Sequence, residues 1–143
     1  MSLATAVKNA LVAAQEEFPE VELISIGFDF KIKDHKTVAF ISIAKTECNT
    51  LGACTAVYNT TPVYISVIRA VEKEDPAITQ VECNNTAAKI VTALKDNSRL
   101  ISEQYPDGFL QSGKVILQEE GEDAPVGGHA KINVITFLAE YWS

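Results

Sequence analysis

One tryptophan, one methionine, two histidines and three cysteines are spread over 143 residues. That scarcity excludes several chemistries. The Cys48–Cys54 spacing, CxxxxxC, is not a zinc knuckle, and no histidine follows at ligand spacing. Three cysteines, Cys48, Cys54 and Cys83, are an odd number and read as reduced thiols, although an oxidising medium would permit a Cys48–Cys54 disulfide. There is no Walker loop, no GxGxxG, no HExxH and no GxSxG; the glycine in "GFDF" stands alone in a strand pattern. No apolar run approaches the ~18 residues of a membrane span. The opening "MSLATAVKNALVAAQEE" lacks the charged start and unbroken apolar core of a signal peptide, so it reads as a mature helix of an intracellular chain. In that setting the sequons at Asn59 and Asn84 carry no weight. Positive charge is scarce as well. Twelve Lys and Arg against nineteen Asp and Glu give −7. With its basic residues scattered, the chain is a poor binder of phosphate backbones.

What is abundant is apolar sequence, 47% of the chain. Over residues 1–143 this predicts a single domain. Residues 2–18 read as a helix capped by Ser2, with Val7, Leu11, Ala14 and Phe18 on one stripe and Pro19 as the stop. Residues 21–33, "VELISIGFDFKIK", alternate with period two, and 37–45, "TVAFISIAK", read as the antiparallel partner across the turn "DHK". Residues 46–61, "TECNTLGACTAVYNTT", read as a long polar connection. A strand over 62–71 follows, then a helix over about 76–97, begun by Asp75 and Pro76 and buried through Ile78, Val81, Ala88, Val91 and Leu94. "SRLISEQYPDGF" reads as a short helical piece or loop, and "GKVILQEE" (113–120) as a strand. "GEDAPVGG" reads as an acidic hairpin loop, and 129–143 as the closing strand. The fold expected is α+β: a mainly antiparallel five-stranded sheet with two principal helices, in the order α-β-β-β-α-β-β.

The closing strand raises a question of cover. Ile135, Phe137 and Tyr141 lie on one parity and Ile132, Val134, Leu138 and Trp142 on the other, so both faces are apolar. The strand over 62–71 has the same character. Two helices on one side leave the second face to a further layer or to another copy of the chain.

Catalytic candidates are thin. His35 or His129 beside a cysteine would make a base and a nucleophile, but no spacing brings them together. Glu119, Glu120, Glu122 and Asp123 read as a solvated acidic hairpin, since the spacing of a calcium loop is missing. No catalytic, cofactor-binding or metal-binding residue is nominated, no cofactor is expected, and the chain is not expected to be an enzyme.

In element order and pattern, nearly the whole chain (2–142) resembles the tail-terminator, or tail-completion, family of long-tailed bacteriophages. The resemblance is carried by the striped leading helix, the hairpin "ELISIGFDFKIK…TVAFISIAK", the strand "PVYISVIRAV" running through "EKEDPAITQ" into a helix ending "ALKDNSRL", and the final "HAKINVITFLAEYW". The segment "TECNTLGACTAVYNTT" is longer and richer in cysteine than that pattern. The resemblance implies a homohexameric ring that caps the tail tube and joins it to the head. Its partners would be tail-tube and head-connector proteins, with no sequence-specific nucleic acid and no membrane. Its location would be the host cytoplasm during assembly and then the virion tail.

Partner contacts are expected at Glu47, Leu51, Val57 and Tyr58 in the long connection and at Glu122 and Asp123 in the hairpin, because loops on a rigid scaffold carry contacts. Self-association is expected at Tyr64, Ile68, Phe137 and Tyr141, with ordinary core packing as the competing reading of these four. Two other readings stay open. One is a monomeric small-ligand module or thiol-dependent enzyme using Cys48, Cys54 or His35. The other is an adaptor that holds a basic partner through its acidic loops.

Overall fold

The computed structural model describes residues 2–27, 36–50, 57–71, 75–121 and 130–142, and for 48–50 the backbone alone. The elements are α1 (Leu3–Ala13), β1 (Leu23–Ile26), β2 (Thr37–Ile43), β3 (Glu47–Thr50), β4 (Val57–Ala70), α2 (Pro76–Asp96), β5 (Ser112–Glu120) and β6 (Ala130–Trp142). The sheet runs β1-β2-β4-β6-β5, with β3 also paired to β4. The α+β class and the two principal helices are as expected, and β3 is an addition. No described helix is long and apolar enough to cross a membrane.

Both helices begin where capping chemistry says they should. The Ser2 hydroxyl accepts from the Thr5 N–H at 3.1 Å. The Asp75 carboxylate accepts from the Ala77 N–H at 2.9 Å, and Pro76 fills the first turn, where its missing N–H is no loss. The buried face of α2 corrects the expected stripe. Val91 and Leu94 are buried as expected, but Ile78 and Val81 are exposed, at 52% and 57%, and so is Ala88. The sheet instead receives Thr79, Cys83, Thr86, Ala87, Ile90 and Leu94. Polar members of this face are hydrogen-bonded: the Cys83 thiol donates to the Val67 carbonyl at 3.3 Å, and the Thr86 hydroxyl to Glu20 at 3.3 Å. Small groups satisfied in this way pack as well as apolar ones, and hydropathy does not see them.

A second correction concerns β1. It pairs with β2 in parallel, Leu23 opposite Val38 through Ile26 opposite Ile41, and not as an antiparallel hairpin. Period-two alternation fixes which face a residue occupies and is silent on strand direction. Gly27, at φ +76°, ends β1 in the left-handed region that glycine enters freely. Phe28, Phe30 and Ile32 lie outside the described residues.

A third correction concerns 46–61. Residues 47–50 and 57–61 are strand, so β4 starts five residues before the expected position and β3 pairs with its extension, Glu47 opposite Thr60. Between β2 and β3 the residues Ala44–Thr46 stand against Thr61 and Pro62, three facing two, which is a bulge. Pro62 sits there because its carbonyl, accepting from Ala44 N–H at 3.0 Å, points to the bulged side; the donor it lacks would face the same irregular step.

The helix face of the sheet carries the main core. Ala39, Ile41, Val63, Ile65, Val67, Ile135, Phe137 and Ala139 pack beneath Leu3, Val7, Leu11, Ile90 and Leu94. On the opposite face Val38, Phe40, Ile68 and Ala130 form a second, smaller buried cluster with Leu23 and Ile132 against it.

Two details fix α2 and the segment after it to the strands. Asn84 accepts from Gln80 and Asn133, both at 2.9 Å, and donates to Glu120 at 2.9 Å, so α2 is stitched to β5 and β6. Gly113 has the Ser98 carbonyl and the Phe137 ring against its Cα; an added Cβ would lie 2.5 Å from Phe137 Cζ. Gly113→Ala is therefore expected to lower stability by about 3 kcal/mol. Asn84→Ala, which leaves the buried Asn133 amide unpaired, should lower it by about 1–3 kcal/mol. Urea unfolding followed by circular dichroism measures both.

Candidate interaction surface

The strand register places the side chains of the second sheet face in rows, since directly opposed residues share a face. Tyr64, Thr136 and Leu117 make one row. Pro62, Leu138 and Lys114 make the next. Glu47, Thr60, Glu140 and Ser112 follow, and Tyr58 with Trp142 closes the end. Tyr64, Leu117 and Trp142 are 37%, 46% and 48% exposed, whereas Val38 and Phe40, at the other end of this face, are 1% and 6% exposed. One half of the face is sealed and the other is half-bare: Tyr64, Leu117 and Trp142 are exposed, Tyr58, Thr60, Pro62, Leu138 and Glu140 are half-buried, and Thr136 is buried.

The bare half ends in a defined cluster. Tyr58 and Trp142 meet edge to face, centroids 4.8 Å apart at 60°. The Tyr58 hydroxyl donates to Glu140 Oε2 at 2.5 Å, and this bond holds the phenol above the usual tyrosine range. β5 borders the patch as an edge strand, with Ile116 the extra residue of a bulge and 50% exposed. Such a bulge, with Lys114 and Glu119 on the same strand, is a common way to blunt an edge.

The expected site residues separate clearly. Glu47, Tyr58 and Tyr64 fall together on the bare half-face. Val57 is half-buried, on the parity of the helix face. Ile68 belongs to the sealed cluster, at 6% exposure. Phe137 is fully buried in the main core and has no surface to offer a partner. Tyr141 packs on the helix face against Phe109, centroids 5.9 Å apart. Leu51, Glu122 and Asp123 lie outside the described residues. Sequence reasoning missed Glu140 and Leu117 as surface groups, and it counted Leu138 and Trp142 only as apolar residues on the second face of the last strand. The signal was the parity shared by Leu138, Glu140 and Trp142, which becomes meaningful once β4 is known to reach back to Val57.

Cavities and thiols show little chemistry. The groove between α1 and the segment after α2, lined by Ala6, Ala10, Ala13, Leu100 and Tyr105, holds about 210 Å³. That is below the ~300–1,000 Å³ of most small-molecule sites. Among the described residues no cluster of His, Cys, Asp and Glu could hold a metal ion. Cys83 is buried against Val67, and burial pushes its thiol up to about 11, which leaves almost no thiolate at neutral pH. His35, His129 and Cys54 lie outside the described residues, as does the side chain of Cys48. Cys83 is expected to resist iodoacetamide at pH 8 in the native protein and to react fully in denaturant, read site by site by peptide mass mapping. Fast native labelling of Cys83 would contradict its placement.

No protein-family model matches the chain, and no curated protein matches it. Among solved structures it is similar to a sheath/tube terminator of the PVC extracellular contractile injection system in its extended state, determined by cryo-EM. The identity is 13% and the TM-score 0.48, over 98% of this chain. The chain spans 57% of the length of that protein. At that level the likeness establishes neither a family nor a role.

Proposed function

We propose that this chain is a structural assembly protein of tail-terminator type. Copies close into a ring, a hexamer in the pattern its sequence resembles; the ring caps a tail tube and joins it to the head. The observation that carries the reading is the half-bare sheet face. Tyr64, Leu117 and Trp142, with the half-buried Leu138 among them, project from paired strands and keep apolar surface in water, which a partner or a second copy would cover. A head-to-tail contact between two different patches of one chain closes into a ring when the rotation permits. A charge of −7 suits a ring whose lumen lets DNA through without holding it. In this reading the protein assembles in the host cytoplasm and ends in the virion tail, with tail-tube and head-connector proteins as neighbours.

The competing reading, a monomeric ligand module or thiol enzyme, gains nothing from the described residues: the grooves are small and the Cys83 thiol is buried and held protonated. Sedimentation at rising concentration separates the two. The ring reading expects a discrete oligomer of several copies. A monomer of 15.5 kDa at all concentrations would overturn it. Tyr64→Asp should shift the mass toward monomer; at 37% exposure on the central strand β4 it should also cost about 1–2 kcal/mol of stability, so circular dichroism is read on the same sample to show that the domain stays folded.

A further inference from the structure

At the tip of the bare half-face, aromatic and acidic groups converge without a basic group among them. Tyr58 and Trp142 present two rings inclined at 60°. Glu140 spends Oε2 on the Tyr58 hydroxyl, and Oε1 has no hydrogen bond among the described residues. Glu47, exposed on β3, stands opposite Thr60, which in turn stands opposite Glu140. Two strand spacings therefore separate the two acids, about 10 Å. The nearest basic position in the register is Lys114, one row away and opposite Leu138. Lys45 lies in the bulge beside Glu47. Neither forms an ion pair with Glu47 or Glu140 among the described residues.

We propose that Tyr58, Trp142, Glu140 and Glu47 form a receptor for an arginine side chain of a partner protein. This rests on the reading of the chain as a contact-making assembly component and names the chemistry of one contact. A guanidinium is flat, stacks on an indole or phenol face, and gives two parallel N–H donors to a carboxylate. The site offers a half-exposed indole, a carboxylate held in place by a tyrosine hydroxyl, and a second carboxylate across the strand. An apolar or anionic partner would bury Glu140 and Glu47 without compensation, which is costly. A cation removes that cost and gains the aromatic faces. The Tyr58–Glu140 hydrogen bond fixes the carboxylate before binding, so little side-chain freedom is lost on contact.

Trp142 is the single tryptophan, so emission excited beyond the tyrosine absorption band reports on this site. The full chain is titrated with a blocked hexa-arginine peptide and, separately, with its hexa-citrulline analogue, which keeps the shape and removes the charge. The expected result is a saturable change in Trp142 emission with the arginine peptide and none with citrulline. The double variant Glu47→Gln/Glu140→Gln should weaken binding about tenfold or more, as expected when charge-assisted bonds are lost. Glutamine at 140 still accepts the Tyr58 hydrogen bond, and circular dichroism confirms the fold. The control Glu16→Gln/Glu17→Gln removes the same charge from the other side of the molecule and should leave affinity within about twofold, since remote exposed charges are screened. Equal weakening by both double variants, an equal response to citrulline, or no saturable change would overturn the proposal. Sedimentation of the same samples reports the ring separately: a ring that ignores the peptide sinks this site alone, and a monomer that binds it sinks the ring alone.

Discussion

The antiparallel ladder between β4 and β6 is the constraint from which the rest of the structure follows. It joins Tyr58–Ala70 to Ala130–Trp142 without a break in register. The longer of the two strands spans about 46 Å, and α2, at 21 residues, spans about 31 Å. The ladder therefore outruns its main helix. On the helix face the excess is closed by the chain after α2: Phe109 packs on Tyr141, and Tyr105 on Phe109 with centroids 5.1 Å apart. Asn59 and Thr61 are buried there and pair with the Tyr141 carbonyl and the Thr46 hydroxyl. Leu100 accepts a positive φ of 54° in that same segment, a strain repaid by burying its side chain at 2% exposure.

On the second face the ladder has no such closure along its whole length. Val38, Phe40, Ile68 and Ala130 are sealed at the end where β4 finishes. From Tyr64 to Trp142 the same face is half exposed. Since successive strand residues alternate faces, any residue that serves the core on one side hands its neighbour to the other, and Phe137 and Leu138 are such a pair. The apolar content of β6 therefore divides between a core that belongs to the single chain and a surface that a partner or second copy would cover. This division is why the proposed function is a contact and not a reaction, and why acids placed beside Trp142 select for a basic partner.

The class of the fold, both helix starts and the alternation of the strands were legible in the sequence, because capping groups and period-two patterns act locally. Three features were not. Strand direction leaves no mark on alternation, so β1 read as half of a hairpin although it runs parallel to β2. The early start of β4 was hidden because Asn59, Thr60 and Thr61 look like loop residues, and their hydrogen bonds depend on β3 and β6. The buried face of α2 was hidden because Thr79, Cys83 and Thr86 do the packing while Ile78 and Val81 face water. Of the residues on this half-face, Glu47 and Tyr58 were nominated from loop position as partner contacts and Tyr64 from parity as a self-association contact. Their meeting with Glu140 and Trp142, some eighty residues away in the chain, is a product of register that no local pattern encodes.

Hydroxyl-radical footprinting across a concentration series tests most directly whether this half-face is bare in one copy and covered in the assembly. The account predicts that Tyr64, Leu117 and Leu138 are oxidised in dilute protein and protected together as concentration rises, while Trp142, at the end kept for a partner, stays oxidisable. Phe137 and Ile41 should stay protected throughout, and Ile78 and Val81 should report whether α2 also joins the contact. Protection of Tyr64 and Leu117 in the dilute monomer, or their unchanged oxidation in a concentrated sample, would contradict it.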